Sequence, residues 1–382
     1  MYMAVDFTWE IKTRIHFGTN IYEDALQKER KLTKGSMLIV TTGHTLKENG
    51  TIARIEDILR QNGTKNVATY IGHGANPEIT EAEAAGKIAR EINAQAVLGI
   101  GGGSAMDLAK AAAIAAVSDV PLRDYLTKGI DAPEDTLPII AMPTTAGTGS
   151  ELSKGAIMSD TELGIKGGIR GEHVAPRVAI VDAALTWTMP ERLTMETGFD
   201  AFAHAAESYM SLKANPMSEM LSIKVIQLIG ENLPKLKQDL DNHDARERMS
   251  CASMMMGMNL YNVGNCLPHR MQYPIGALTH TSHAAGLAAL YQAWIGEEYK
   301  ICSERVNDIY EALGIGKPQS ADDAREKMKA WLKTLGIANT LEDLGVKADE
   351  IDGLVSKVTG NIASDRLARQ DGIIKRIYEE SQ

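Results

Sequence analysis

Cysteine is scarce in this chain of 382 residues, which has only Cys251, Cys266 and Cys302. A disulfide framework needs an even number of cysteines, so three widely spaced thiols argue against one and favour a reducing compartment. The first six residues contain neither a basic region nor an apolar run, so we expect no secretory signal. These two absences predict a cytoplasmic protein.

Long apolar runs and an excess of positive charge are also missing. No stretch of about 20 apolar residues occurs, so we expect no membrane span. The net charge is −10, whereas a protein that binds phosphate backbones needs a basic surface. A small molecule is therefore a better candidate partner than nucleic acid. The apolar fraction of 44% is sufficient for large cores, and the length favours two or three domains.

Short apolar segments alternate with helical patterns in the first half of the chain. The segments with strand composition are residues 14–18, 37–41, 67–70, 96–100, 138–142 and 178–182. Strands that alternate with helices predict a mostly parallel sheet covered on both faces. Helical periods follow, and Pro234 is expected to end one helix. We predict an α/β domain over residues 1–184 and an all-α domain over residues 185–382.

Two loops at strand ends are rich in groups that bind phosphates. Gly101, Gly102, Gly103 and Ser104 join a strand to a helix, where backbone amides and the helix dipole favour an anion. Asp107, one turn later, is positioned to cap amides or to hold a ribose. The spacing is not G-x-G-x-x-G, and the alternative is a tight turn that binds nothing.

The second loop follows the strand at 138–142 and carries hydroxyl groups from Thr144, Thr145 and Thr148. Hydroxyls and exposed amides suit phosphates or a ribose, so the two loops together predict a dinucleotide across the sheet edge. Three more polar side chains complete the candidate cofactor site. They are Thr42 and Asn76, which follow the second and third strands, and Lys166 in the basic stretch 166–171, which we expect to be flexible.

Candidate metal ligands lie in the second half. Asp200 and His204 are four residues apart in a predicted helix, so both can reach one divalent cation. The alternative is a buried histidine paired with an aspartate. Three further histidines, at 269, 280 and 283, lie in a mostly apolar setting, and two of them would complete a set of three nitrogens and one oxygen. Such a set suits Fe²⁺ and Zn²⁺ alike. Cys266 is a weaker alternative ligand.

These features together resemble the iron-containing (group III) alcohol dehydrogenases. The matching pieces are Gly101–Asp107, Pro143–Glu151, Asp200-x-x-x-His204 and the pair His269 and His283. The resemblance implies a dehydroquinate synthase-like architecture, with a Rossmann-like nucleotide-binding domain, a helical domain and a cleft between them. It also implies a homodimer or a larger homo-oligomer.

The resemblance further assigns the site residues. It implies one divalent metal, Fe²⁺ or Zn²⁺, on Asp200, His204, His269 and His283, and a nicotinamide cofactor on the two loops. NAD(H) is favoured, but NADP(H) remains open because Thr41-Thr42-Gly43-His44 stands where many NAD-preferring members carry an aspartate. Two departures lie at the metal, where Tyr273 replaces a second histidine and Ala284 replaces a glycine.

The predicted reaction reduces a small aldehyde to its alcohol. Tyr273 and His280 are candidates for the proton relay, with structural hydrogen bonding as the alternative. Arg170 and Arg270 are candidates for an anionic substrate group, which favours an aldehyde such as sulfoacetaldehyde, reduced to isethionate. For both arginines the alternative is a cofactor, solvent or structural contact. The alternative functions are a butanol- or propanediol-type dehydrogenase, a dehydroquinate synthase-like lyase and a non-catalytic metal-binding protein.

Overall fold

The structure, a computed structural model, describes residues 6–360 and 362–382. The segment 1–5, which contributes to the expectation of no secretory signal, lies outside the described residues. The chain divides into two compact units, Ile11–Thr188 and Met189–Gln382, and the second also takes in the residues up to Glu10. No helix of the described residues is long and apolar enough to cross a membrane.

A parallel sheet of six strands forms the centre of the first unit. The strands of this unit are β1 Arg14–Gly18, β2 Ser36–Thr42, β3 Val67–Gly72, β4 Ala94–Gly101, β5 Ile139–Pro143, β6 Gly155–Asp160, β7 Ile165–Arg170 and β8 Val178–Asp182. The order in the sheet is β1-β8-β5-β4-β2-β3, so all six predicted strands are confirmed. Without β1, the order β3-β2-β4-β5-β8 is the 2-1-3-4-5 order of a doubly wound fold. In this fold β3 is added on one side of β2, and β4 and the later strands are added on the other side.

The helices of the first unit are α1 Tyr22–Lys28, α2 Arg30–Thr33, α3 Thr45–Glu48, α4 Thr51–Gln61, α5 Ile79–Glu91, α6 Gly103–Ala115 and α7 Leu122–Lys128. The apolar side chains of the strands enter two separate cores. From β2, Met37 and Ile39 join one core while Leu38 and Val40 join the other, because successive side chains of a strand point to opposite faces. Burying each such side chain contributes roughly 1.5–3 kcal/mol. Both faces of the sheet are therefore covered, as the alternating pattern predicts.

The basic stretch at 166–171 is not the flexible loop that its composition suggests. Residues Ile165–Arg170 form β7, which pairs antiparallel with β6 in a hairpin. Gly164 makes the turn between the two strands with a φ of 63°, in the left-handed region that favours glycine. The backbone pairing fixes Lys166 and Arg170, although this strand contains two glycines.

Helices make up the second unit. They are α8 Glu191–Met210, α9 Pro216–Gln238, α10 His243–Asn262, α11 Leu267–Thr279, α12 His283–Leu313, α13 Ala321–Leu335, α14 Ile351–Ser356 and α15 Ile373–Glu380. The prediction that a helix stops at Pro234 is wrong, because α9 continues to Gln238. The proline removes one backbone donor, but Leu233 and Leu236 on either side of it are buried. Their burial offsets that loss.

Candidate active site

The carboxyl ends of four neighbouring strands are level at one edge of the sheet. Thr42 pairs with Gly72, and Gly101 pairs with Pro143. The amide of Thr144 donates to the Gly101 carbonyl at 2.8 Å, which joins the loop after β5 to the loop after β4. Most of the predicted cofactor residues are thus brought to this edge: Thr42, Asn76, Gly101, Gly102, Ser104, Thr144, Thr145 and Thr148.

The glycine turn has the shape of a cradle for a pyrophosphate. Gly101 has a φ of 144°, and a Cβ there would stand 2.6 Å from the Cβ of Ala105. A Cβ on Gly103 would stand 2.9 Å from the side chain of Thr148, so the two loops touch. The amides of Ala105 and Met106 donate to the Gly102 carbonyl, so the amides of Gly103 and Ser104, at the very start of α6, are the ones that can turn to an anion. These residues fit the pyrophosphate of a dinucleotide.

Asp107 is engaged within the protein. Its Oδ1 accepts a hydrogen bond from the Ser150 hydroxyl at 2.6 Å, and its Oδ2 accepts from the Ile157 amide at 2.9 Å. Lys110, one turn further along α6, is fully buried and donates to Ser150, Ser153 and the Gly155 carbonyl. Asp107 therefore connects α6 to the end of the second loop by its hydrogen bond to Ser150.

Lys166 and Asn76 are brought together. The Lys166 ammonium donates to the Asn76 side-chain oxygen at 2.7 Å. Asn76 follows β3 in the left-handed region, with a φ of 58°. The two residues are far apart in the sequence, so this contact links the hairpin to the loop after β3.

The candidate metal ligands come from three helices of the second unit. Asp200 lies in the middle of α8, His269 on the first turn of α11, and His283 is the first residue of α12. Oδ1 of Asp200 lies 3.4 Å from Nε2 of His269 and 3.6 Å from Nε2 of His283. One ligand atom from each of the three residues lies within 4.8 Å of the other two.

His204 adjoins this group of three but does not belong to it. Its Nδ1 is 3.3 Å from Oδ1 of Asp200, and its ring centre is 3.9 Å from that of His269. His280 is placed differently, since it is exposed just after α11 with a left-handed φ of 55°. Cys266 is buried, and its thiol donates to the Glu207 carbonyl. Burial raises the pKa of that thiol well above its usual range.

Hydrogen bonds select one tautomer in the histidines around Asp200. Nδ1 of His204 is 2.9 Å from the Asp200 carbonyl, and Nδ1 of His283 contacts the side-chain oxygen of Gln272. Neither oxygen can donate, so each Nδ1 carries the proton and each Nε2 keeps its lone pair. Nδ1 of His269 is 2.6 Å from Oε1 of Glu207, an acceptor when the carboxyl is ionised. His204 and His283 thus keep Nε2 available for a cation, and His269 has its Nδ1 held by Glu207.

The pKa values suit a cation site. Burial lowers the pKa of His204 to about 3, and the neighbouring His269 acts in the same direction, so His204 is neutral. Burial alone would raise the pKa of Asp200, but the three histidines lower it to about 2. Burial opposes protonation of His269, yet the Glu207 and Asp200 carboxylates raise its pKa to about 10. A cation that binds Nε2 of His269 would displace this proton.

Two buried atoms in this group lack a hydrogen-bond partner within residues 6–360 and 362–382. They are Oδ1 of Asp200 and Nε2 of His269, which face each other. Leaving a buried charged or polar atom unpaired is costly, so the pair calls for a bound cation. A carboxylate oxygen and neutral imidazole nitrogens are ligands that Fe²⁺ and Zn²⁺ accept. The residues therefore fit the divalent metal that the sequence predicts.

Tyr273 and Arg270 flank the group on α11. Tyr273 is buried, with its ring centre 6.3 Å from that of His283. The Arg270 guanidinium lies over the Tyr273 ring at 5.6 Å and donates to the side-chain oxygen of Asn265 at 2.9 Å. Its buried Nε has no hydrogen-bond partner among the residues that the structure describes. Arg170, by contrast, lies at the end of β7 in the first unit.

Glu207 and Gln272 escaped the sequence analysis, although each contacts a candidate ligand. A signal for both was present. Glu207 lies seven residues after Asp200 and three after His204, and Gln272 lies three after His269, so each shares a helical face with a ligand.

The chain matches two family models. Residues 12–183 match the model of iron-containing alcohol dehydrogenase, and residues 194–380 match the C-terminal model of the Fe-containing alcohol dehydrogenase family. A curated relative, long-chain-alcohol dehydrogenase 1 of Geobacillus thermodenitrificans, is 32% identical over 369 residues, covering 93% of this chain and 92% of the relative. Sulfoacetaldehyde reductase of Bilophila wadsworthia is 28% identical over 351 residues, covering 90% of this chain and 89% of the relative.

A solved structure agrees with these matches. It is sulfoacetaldehyde reductase from Bifidobacterium kashiwanohense in complex with NAD⁺, with a TM-score of 0.86 at 26% identity and 99% of both chains covered. Both halves of the chain carry the same family assignment, and the fold agrees with it. The chain therefore belongs to the iron-containing alcohol dehydrogenase family, whose members are oxidoreductases.

Proposed function

We propose that this protein is a metal-dependent aldehyde reductase that uses NAD(H) and acts on a small anionic aldehyde such as sulfoacetaldehyde. The observation that carries the proposal is the group of Asp200, His269 and His283, in which the first two residues are buried and two facing atoms lack a hydrogen-bond partner among the described residues. The reaction converts the aldehyde, NADH and one proton into the alcohol, here isethionate, and NAD⁺. Cytoplasmic location and a homodimer or larger assembly stay predictions.

Asp200, His204, His269 and His283 would hold the metal, and the loops after β4 and β5 would hold the cofactor. When bound, the metal supplies Lewis acidity for the carbonyl and the nicotinamide supplies the hydride. Gly101 and Gly102 let the backbone approach the pyrophosphate, and Thr144, Thr145 and Thr148 offer hydroxyl groups to phosphate or ribose. NADP(H) stays the alternative because Thr42, and no acid, stands at the end of β2.

The proton has two candidate carriers. Tyr273 is buried beside His283, so its hydroxyl is the better candidate for a donor within the site. His280 is exposed at the end of α11, where its ring can exchange protons with solvent. Either residue would deliver the proton that the new alcohol oxygen requires.

Arg270 supports an anionic substrate. It directly follows the candidate ligand His269, its side chain is nearly buried, and its Nε has no partner in the described residues. A guanidinium with an unused donor suits a sulfonate or carboxylate. Two relatives named as sulfoacetaldehyde reductases agree with this choice. Arg170, at the end of β7, is the other candidate.

A neutral substrate is the second candidate. The relative from Geobacillus thermodenitrificans is named for long-chain alcohols, and the identity to it is higher than to the Bilophila reductase, 32% against 28%. In that case Arg270 would only brace Asn265 and Tyr273.

Rates of NADH and NADPH oxidation with sulfoacetaldehyde, propanal and butanal test the proposal. The wild type should show a higher kcat/KM on sulfoacetaldehyde. Arg270→Ala should lower it about 10- to 100-fold on that substrate, because a charge-assisted hydrogen bond contributes about 1.5–3 kcal/mol. The neutral aldehydes serve as the control for general damage in the same variant. Equal efficiency on all three aldehydes, with no selective loss in Arg270→Ala or Arg170→Ala, would rule out the anionic class.

A further inference from the structure

We infer that Glu207 is a positioning residue that sets the metal affinity of the site by fixing the His269 ring, and that Gln272 is its uncharged counterpart at His283. This inference rests on the proposed metal ligands. Neither residue provides a ligand atom to the group of Asp200, His269 and His283.

Both oxygens of the Glu207 side chain are committed. Oε2 accepts a hydrogen bond from the Cys266 amide at 2.8 Å, and Oε1 lies 2.6 Å from Nδ1 of His269. The side chain is fully buried. Cys266 immediately precedes α11, so one carboxylate fixes both the start of this helix and the ring on its first turn. Glu207 itself lies on α8 with Asp200 and His204. Its contacts therefore connect α8 to α11, which are two of the three helices that carry candidate ligands.

The contact decides which nitrogen of His269 is available. Because the Glu207 carboxylate accepts the Nδ1 proton, Nε2 is the nitrogen left for a cation, which displaces the proton that Nε2 carries in the metal-free chain. Nε2 lies 3.4 Å from Oδ1 of Asp200. A carboxylate on the far side of an imidazole also makes the ligating nitrogen more basic. With Glu207 in place, a cation between Nε2 of His269 and Oδ1 of Asp200 is therefore bound more tightly.

Gln272 contacts His283 in the same way without a charge. Its side-chain oxygen accepts from Nδ1 of His283, and its own Nε2 is buried without a hydrogen-bond partner in the described part of the chain. Two glycines leave room for this amide, since a Cβ on Gly276 or Gly286 would stand 3.0 or 3.2 Å from Nε2. His269 thus has a charged acceptor at its Nδ1, and His283 has a neutral one. A substitution can therefore remove the charge at His269 or add a charge at His283.

Glu207→Gln removes the charge and keeps the shape. An amide has one acceptor, so it cannot serve both the Cys266 amide and Nδ1 of His269. If its oxygen stays with Cys266, its NH₂ group donates to Nδ1 and moves the ring proton to Nε2, which then cannot bind metal. Affinity for Zn²⁺ or Fe²⁺ should fall on the order of 10- to 100-fold.

The experiment measures metal dissociation constants by competition with a chelator, on the purified full chain. His269→Ala sets the scale for a lost ligand. Glu29→Gln is the matched control, because Glu29 is a nearly buried carboxylate on a histidine nitrogen of the other unit, 2.8 Å from Nε2 of His16. The absorption spectrum of the Co²⁺-loaded chain adds a readout of the ligands themselves. Melting of the metal-free chain reports on a purely structural role.

Weaker metal binding and a shifted Co²⁺ spectrum in Glu207→Gln, with Glu29→Gln like wild type, support the inference. Unchanged affinity in Glu207→Gln overturns it, and so does a lower melting temperature as the only effect. If Glu207→Gln does not fold, the Gln272→Glu variant provides the test. A metal affinity up to about 10-fold higher than that of wild type supports the inference. An equal or lower metal affinity contradicts it. A wild type that binds no metal instead refutes the proposed metal centre itself.

Discussion

At the scale of the residue, Glu151 is the carboxyl group whose charge is least supported in the first unit. It is 1% exposed, and no other residue of the described chain donates a hydrogen bond to either of its oxygens. Burial raises the pKa of Glu151 to about 7, although a hydrogen bond from its own amide and the Lys110 charge oppose this. A carboxyl group with a folded pKa above its unfolded value stabilises the fold only while it is protonated.

The sign of the pH dependence follows from these values. The contribution of Glu151 is fully present below its usual pKa of about 4.5 and is lost as the pH rises through about 7. Glu151→Gln imitates the protonated acid and has no such loss. We expect the variant to gain about 2 kcal/mol in the free energy of unfolding over wild type between pH 5 and pH 8.

Urea unfolding of both proteins at several pH values measures this difference. A difference that stays constant with pH would show that Glu151 does not titrate in this range. The matched control is Glu83→Gln, an exposed glutamate on α5. This control shows what the loss of one glutamate charge does to stability where the carboxylate is not buried.

At the scale of the element, the turn between β4 and α6 contains three glycines with different roles. Gly101 and Gly103 serve the fold, since a Cβ on either would stand within 3 Å of a neighbouring side chain. Gly102 is different: its φ is −75°, and a Cβ there would stand 3.4 Å from Thr145, an ordinary contact. The protein itself tolerates a side chain at Gly102, whereas a pyrophosphate on this turn would not.

Gly102→Val should therefore weaken NADH binding by at least about 10-fold while the fold persists, because the side chain crowds the backbone approach to the phosphates. Fluorescence titration with NADH measures the affinity, and circular dichroism reports on the fold. Gly353→Val is the control, since Gly353 lies in α14 with no atom near its missing Cβ. Equal NADH affinity in the two variants would remove the turn from the cofactor site.

At the scale of the whole molecule, the candidate ligands all belong to the helical unit, while the candidate cofactor loops belong to the sheet unit. A ligand stabilises the elements that it binds, by about 2.7 kcal/mol at a concentration of 100 Kd. Removal of the metal should therefore loosen α8, α11 and the start of α12. The strands of the sheet should be much less affected.

Hydrogen exchange followed by mass spectrometry, before and after chelation, tests this distribution. Peptides from the three helices should exchange up to about 100-fold faster in the chelated protein. Peptides from β2, β4 and β5 serve as the internal reference. A uniform change over both units would contradict a metal centre confined to the helical unit.

The sequence by itself determined what depends on near neighbours in the chain. The apolar runs at 37–41 and 96–100 predict strands because a buried parallel strand needs side chains on both faces. Asp200 and His204 share a helical face because four residues make about one turn. The resemblance of the two loops to the family's motifs predicted the nucleotide-binding fold, and the family models confirm the family.

Only the tertiary structure decided what depends on distant residues. It brings His269 and His283 to Asp200 and leaves His280 exposed, because α11 ends just before His280 and α12 begins at His283. It also commits Asp107 to Ser150 and places Glu207 behind His269. These partners are 43 and 62 residues apart. Local periodicity fixes which side of a helix a side chain occupies, but the packing of helices and loops fixes what that side meets.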